Sequence, residues 1–96
     1  MPYLLTHFWP GGTEDQYRAT LAAVHPSDGL PAGQISHAAG PTDGGYLISV
    51  LWDSKESSDR FLSETLLPAM PVEGGFDGQP QERGAEVASL ETPRAG

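Results

Sequence analysis

The stretch HAAGPTDGGYLISVLWDS, His37 to Ser54, places a short strand, a turn, a second strand and the start of a helix in direct succession. Asp43-Gly44 lies between QISHAA and YLISVLW and suits a turn that needs positive φ, so a β-hairpin is expected. The second of these strands is apolar on both sides. Tyr46, Ile48, Val50 and Trp52 alternate onto one face, with Leu47 and Leu51 on the other. Such a strand belongs at the centre of a sheet and needs cover on each face.

Working outward, YLLTHFW (residues 3 to 9) reads as a first strand, again apolar on both sides, and PGG stops it. Thr13 and Gln16 form a capping box for a helix running to about Val24, whose Tyr17, Leu21 and Val24 fall on one stripe. Pro26 biases His25 away from helical geometry, and SDGLPAG is loop. Downstream, Asp53 and Glu56 are expected to form a second capping box. Phe61, Leu62, Thr65, Leu66 and Ala69 trace a helical stripe up to a break around Pro68 and Pro71. VEGGFDGQP reads as Gly-rich loop, QERGAEVASLE with Val87 and Leu90 as a last strand, and residues 92–96 as a flexible C-terminal tail.

The resulting order, βαββαβ, predicts an α+β, ferredoxin-like domain over residues 1–91. Its four-stranded antiparallel sheet has the first and third strands at the centre and both helices on one face. Two helices cover only that face, and the other is too apolar to leave bare. A second copy of the chain laid sheet to sheet about a two-fold axis resolves this. The alternative is a monomer with a partly wet second face, which Thr6 and Ser49 on those strands favour.

A chain of 96 residues buries one modest core. With no cysteine, disulfides, thiolate metal sites and a Cys nucleophile are excluded. The N-terminus MPYLLTHFWPGG has neither the basic region nor the cleavage site of a secretory signal, and no run approaches the roughly 18 apolar residues of a membrane span, so a cytoplasmic protein is expected. Thirteen acidic against five basic side chains give a net charge of −8, and the basic residues do not cluster. A phosphate backbone or an anionic membrane surface is repelled by such a chain.

His37, in the strand before the turn, and His7, in the first strand, are the candidate acid/base residues. An imidazole takes a proton from an acidic phenol or carbon acid and returns it elsewhere. Oxygen activation without a cofactor begins with the same step, because the substrate carbanion supplies the electron. The structural alternative is a buried histidine satisfied by a backbone carbonyl or placed at a dimer seam. His25 is read as complementing the dipole at the end of the first helix. No HxxxH or HxH spacing supports a metal site, and none is expected.

Trp52, Tyr46, Trp9 and Phe61 are the candidate wall for a flat aromatic ligand, with Tyr17 a further aromatic, although most of these must serve as core. GPTDGG leads into a strand, matches no phosphate-loop pattern and is read as a turn. Ser36, Ser49 and Ser57 lack the GxSxG setting of a hydrolase nucleophile.

The span from about Pro2 to Glu91 resembles the dimeric α/β-barrel superfamily and, within it, small proteins of the antibiotic biosynthesis monooxygenase type. The resemblance rests on the first strand followed by PGGT, on HAAGPTDGGYLISVLWDS, and on DRFL with LLPAM in the second helix. It implies a homodimer with a pocket between the sheet and the helices of each subunit. It also implies a choice among cofactor-independent oxygenases of aromatic polyketides, haem-degrading oxygenases, polyketide cyclases and lactone isomerases, a choice that fold analogy cannot make. The haem-degrading branch shares a tryptophan near the end of strand three, here Trp52. It also places a haem-ligating histidine on the second helix and an asparagine on strand one. Residues 54–69 contain no histidine and the chain contains no asparagine, so haem is not expected and no cofactor is assigned. The function expected is cofactor-independent oxygenase or cyclase-like chemistry on a small aromatic or polyketide-type molecule. The alternative is a non-catalytic small-molecule-binding or assembly dimer.

Overall fold

The computed structural model describes residues 1–25 and 29–91, so Pro26 and the expected tail at 92–96 lie outside the described residues. In chain order the elements are β1 (Tyr3–Pro10), α1 (Glu14–Val24), β2 (Gln34–Thr42), β3 (Gly45–Trp52), α2 (Lys55–Phe61), a π-helical segment (Leu62–Leu66), α3 (Leu67–Ala69) and β4 (Gln81–Glu86). The sheet is antiparallel with strand order β2-β3-β1-β4, which places β1 and β3 at the centre as expected.

The β1–β3 register pairs Leu5 with Val50, His7 with Ile48 and Trp9 with Tyr46. Because strand side chains alternate, this register sends all six to one face, beneath the helices. Leu4, Thr6 and Phe8 of β1 and Leu47, Ser49 and Leu51 of β3 share the opposite face. No described element packs on that face, and Leu4 remains 38% and Leu47 44% exposed.

Local signals account for most boundaries. The Gln16 N–H donates to Thr13 Oγ1 at 3.2 Å and the Thr13 N–H donates to Gln16 Oε1 at 3.0 Å, completing the expected capping box of α1. The hairpin turn is Asp43-Gly44, between the paired Thr42 and Gly45. The positive φ falls on Gly44 alone, at 81°.

Two expectations are corrected. The second helix is capped by Ser54, whose Oγ accepts from the Ser57 N–H at 3.1 Å, and not by an Asp53–Glu56 box. Asp53 is held one residue short of the helix by its N–H donating to the Gly33 carbonyl at 2.8 Å. The helix passes through Pro68 and ends at Ala69, within the break expected around Pro68 and Pro71. Pro68 brings no N–H to the helical ladder, and the turn before it widens to π pitch. Finally, β4 ends at Glu86, so Val87 and Leu90 lie past it; the Val87 N–H still donates to the Pro2 carbonyl at 2.9 Å.

The Gly-rich loop contributes to the core. Phe76, 3% exposed, stacks on Trp9 at 4.6 Å with planes 7° apart. Its N–H donates to Thr20 Oγ1 at 3.1 Å, tying the loop to α1.

Gly45 faces the centre of the sheet so closely that a β-carbon there runs into the Trp9 carbonyl oxygen, a backbone atom that cannot move aside. Gly45→Ala is expected to cost about 1–3 kcal/mol in urea unfolding. Gly40→Ala, with nothing within 4 Å of its β-carbon, stays within about 0.5 kcal/mol of the parent. Equal stability of the two variants contradicts the β1–β3 packing.

Candidate functional site

Between the helix-facing side of the sheet and the two helices lies an apolar cavity of about 80 Å³. An adjoining groove of about 500 Å³ runs between the end of the second helix, the loop carrying Phe76 and the start of β4. His7, Trp9, Leu62, Leu66 and Phe76 line both spaces and form the junction between them. The cavity alone holds a few waters, whereas the groove has the volume of a small-molecule site. The π-helical segment supplies Leu62 and Leu66 to this junction. The stripe Phe61, Leu62, Thr65, Leu66 and Ala69 is half-buried throughout, as residues bordering a cavity are.

His37 and His7 occupy different parts of this space. In β2 the register slips between Gln34 and Ser36, leaving Ile35 as an extra, outward residue, 51% exposed. This bulge turns both Gln34 and His37 toward the helices, which strict alternation would forbid for residues three apart. Gln34 Oε1 lies 3.1 Å from His37 Nδ1, and the Tyr17 hydroxyl lies 2.8 Å from His37 Nε2. The His25 ring meets His37 edge-on, with centroids 4.9 Å apart. Burial holds His37 below the ordinary imidazole value, and burial together with His37 does the same for His25. Burial, reinforced by Tyr46, raises the Tyr17 phenol and keeps it protonated.

His7 lies at the junction. Its Nε2 is 2.9 Å from Glu82 Oε2, the residue directly opposite it on β4. A carboxylate only accepts, so His7 Nε2–H donates to Glu82.

Of the aromatic candidates, Trp9, Trp52 and Phe61 border the cavity, and Trp52 packs on Phe61 at 5.3 Å. Tyr46 is off the cavity wall, stacked behind Tyr17 at 5.0 Å. Trp9 and Trp52 bury their indole N–H groups without a hydrogen-bond partner among the described residues. Both nitrogens are closed to water, so a ligand in the cavity does not reach them directly. Among the described residues no group of three or more His, Asp or Glu side chains could hold a metal ion.

Two residues take part in the site in ways not expected from the sequence. Tyr17, expected as a further aromatic beside the candidate wall, meets His37 through its hydroxyl. His25 was assigned to the helix dipole, although it follows Val24 on the cavity side of the Tyr17–Leu21–Val24 stripe. That spacing was the available signal.

The depressed imidazoles make stability depend on pH. Below the ordinary value of 6.5 the unfolded chain takes up protons that folded His25 and His37 refuse, so stability is full above about pH 6.5 and falls as the pH drops below it. Urea unfolding from about pH 7.5 to about pH 5 is expected to show this loss, and His25→Gln combined with His37→Gln flattens it. Identical pH slopes in parent and variant contradict the assignment.

No family model and no curated protein matches the sequence. Among solved structures, the chain is similar to a Chloroflexus aurantiacus J-10-fl protein provisionally named an antibiotic biosynthesis monooxygenase. The TM-score is 0.64 at 17% identity, over 96% of this chain and 98% of that one. At that identity the likeness establishes the fold, and at that level it supports the resemblance carried by the sequence.

Proposed function

We propose that the chain, as one domain over residues 1–91, is a homodimeric, cytoplasmic enzyme of the antibiotic biosynthesis monooxygenase type. It carries out cofactor-independent oxygenase or cyclase-like chemistry on a small aromatic or polyketide-type molecule. The ligand lies in the groove and extends its reactive end into the cavity. His37 and His7 are the acid/base groups, Trp9, Trp52 and Phe61 the aromatic wall, and Tyr46 the backing of Tyr17. The observation that carries this reading is that His7, His25, His37 and Tyr17 all line one mostly apolar space.

The second copy covers the bare sheet face. Leu4, Phe8, Leu47 and Leu51 form an apolar strip there, and no described side chain is less than 2% exposed, which is a thin core for a domain of this kind.

A non-catalytic binding or assembly dimer is the second reading. The small volume of the inner cavity, about 80 Å³, favours it.

Oxygen uptake and product formation with a panel of anthrones, quinols and lactones separate the two. The enzyme reading expects turnover of at least one class, slowed about 100-fold or more in His37→Ala. Turnover of none, with His37→Ala indistinguishable from the parent, removes it. Sedimentation at micromolar concentration is expected to find dimers, and Leu47→Lys to shift them to monomers; a stable monomeric parent overturns the assembly.

A further inference from the structure

His37 has no ring nitrogen left to offer a ligand. Gln34 Oε1, 3.1 Å from Nδ1, can only accept, so Nδ1 carries the hydrogen. Burial favours the neutral ring, whose Nε2 is then bare and accepts from the Tyr17 hydroxyl at 2.8 Å. Tyr17 Oη retains its own lone pairs, and Tyr17 borders the cavity. The bulge at Ile35 sets this arrangement by bringing Gln34 and His37 to the same face.

We propose that Tyr17 is the catalytic group that exchanges a proton with the ligand, and that His37 stores the proton behind it. This deepens the acid/base reading above and rests on it. In the forward step a ligand O–H or activated C–H proton passes to Tyr17 Oη as the phenol's own proton passes to His37 Nε2. The bonding electron pair stays on the ligand as a phenolate or enolate. His37 becomes an imidazolium whose Nδ1–H still donates to Gln34, and the reverse transfer returns the proton to another ligand atom.

The groups facing this relay are Arg18 from α1, His25 just past its C-terminal end, Gln34 from β2 and Tyr46 from β3. Arg18 is paired outward with Glu14 at 3.2 Å, leaving His25 as the neighbour whose charge matters most. A protonated His25 opposes the imidazolium, so proton transfer rises with pH as His25 and His37 lose their protons, then levels.

The test uses dithranol, an anthrone, under anaerobic conditions, with deuterium exchange at its methylene carbon followed by NMR. The parent protein is expected to accelerate exchange. Tyr17→Phe, His37→Gln and the double variant are each expected to lose the same factor, about 100-fold or more, because members of one relay do not contribute additively. Retention of exchange in Tyr17→Phe with loss in His37→Gln overturns the relay, as do losses that multiply. Imidazole ¹⁵N spectra of the parent protein provide a check that does not depend on any variant folding. Hydrogen on Nδ1 and a bare Nε2 are expected, and a bare Nδ1 removes the relay alone. A parent protein that accelerates no exchange removes the acid/base function and the relay with it.

Discussion

The register of the two central strands is the constraint on which the rest depends. With Leu5 opposite Val50, His7 opposite Ile48 and Trp9 opposite Tyr46, the sheet acquires one face for the helices and one that no described element covers. A slip of β1 by a single residue would turn that strand over, carrying Leu5, His7 and Trp9 outward and Leu4, Thr6 and Phe8 beneath the helices. Gly45 guards this register by allowing the strands to approach at the Trp9 carbonyl.

Within that frame the site is made by local departures from regularity. The β2 bulge turns Gln34 and His37 to the same side, and the π-helical turn presents Leu62 and Leu66 at the junction of cavity and groove. Phe76 is drawn in from a loop to stack on Trp9. Bulges and π turns recur next to functional sites because each re-aims a side chain without unravelling its element. Here they leave two imidazoles in distinct settings: His37 enclosed by Tyr17 and Gln34, and His7 at the junction, held by Glu82.

The element order, the central positions of β1 and β3 and the α1 cap were legible in the sequence because each follows from local periodicity or a short capping motif. The two faces of the sheet were also separable by parity, but not which one meets the helices. The bulge was not legible: Ile35 extends an ordinary strand pattern, and only pairing with β3 exposes the slip. Ser54 displaced Asp53 as the cap because a distant carbonyl, that of Gly33, claims the Asp53 N–H. Tyr17 and His25 could be placed on a helix stripe, but their partnership with His37 is a contact between elements, which spacing along the chain does not encode. Phe76 was not legible either, since VEGGFDGQP reads as Gly-rich loop and the stacking on Trp9 joins elements far apart in the chain.

The central claim is that chemistry belongs to the helix-covered face of the sheet, at the junction of cavity and groove. Titrating isotope-labelled protein with a flat phenol such as 1-naphthol, and following backbone and indole NMR signals, tests it most directly. Shifts centred on His7, Trp9, Leu62 and Leu66 are the predicted result. Shifts centred on Leu4, Leu47 and Leu51, or none up to the solubility limit of the probe, would contradict it.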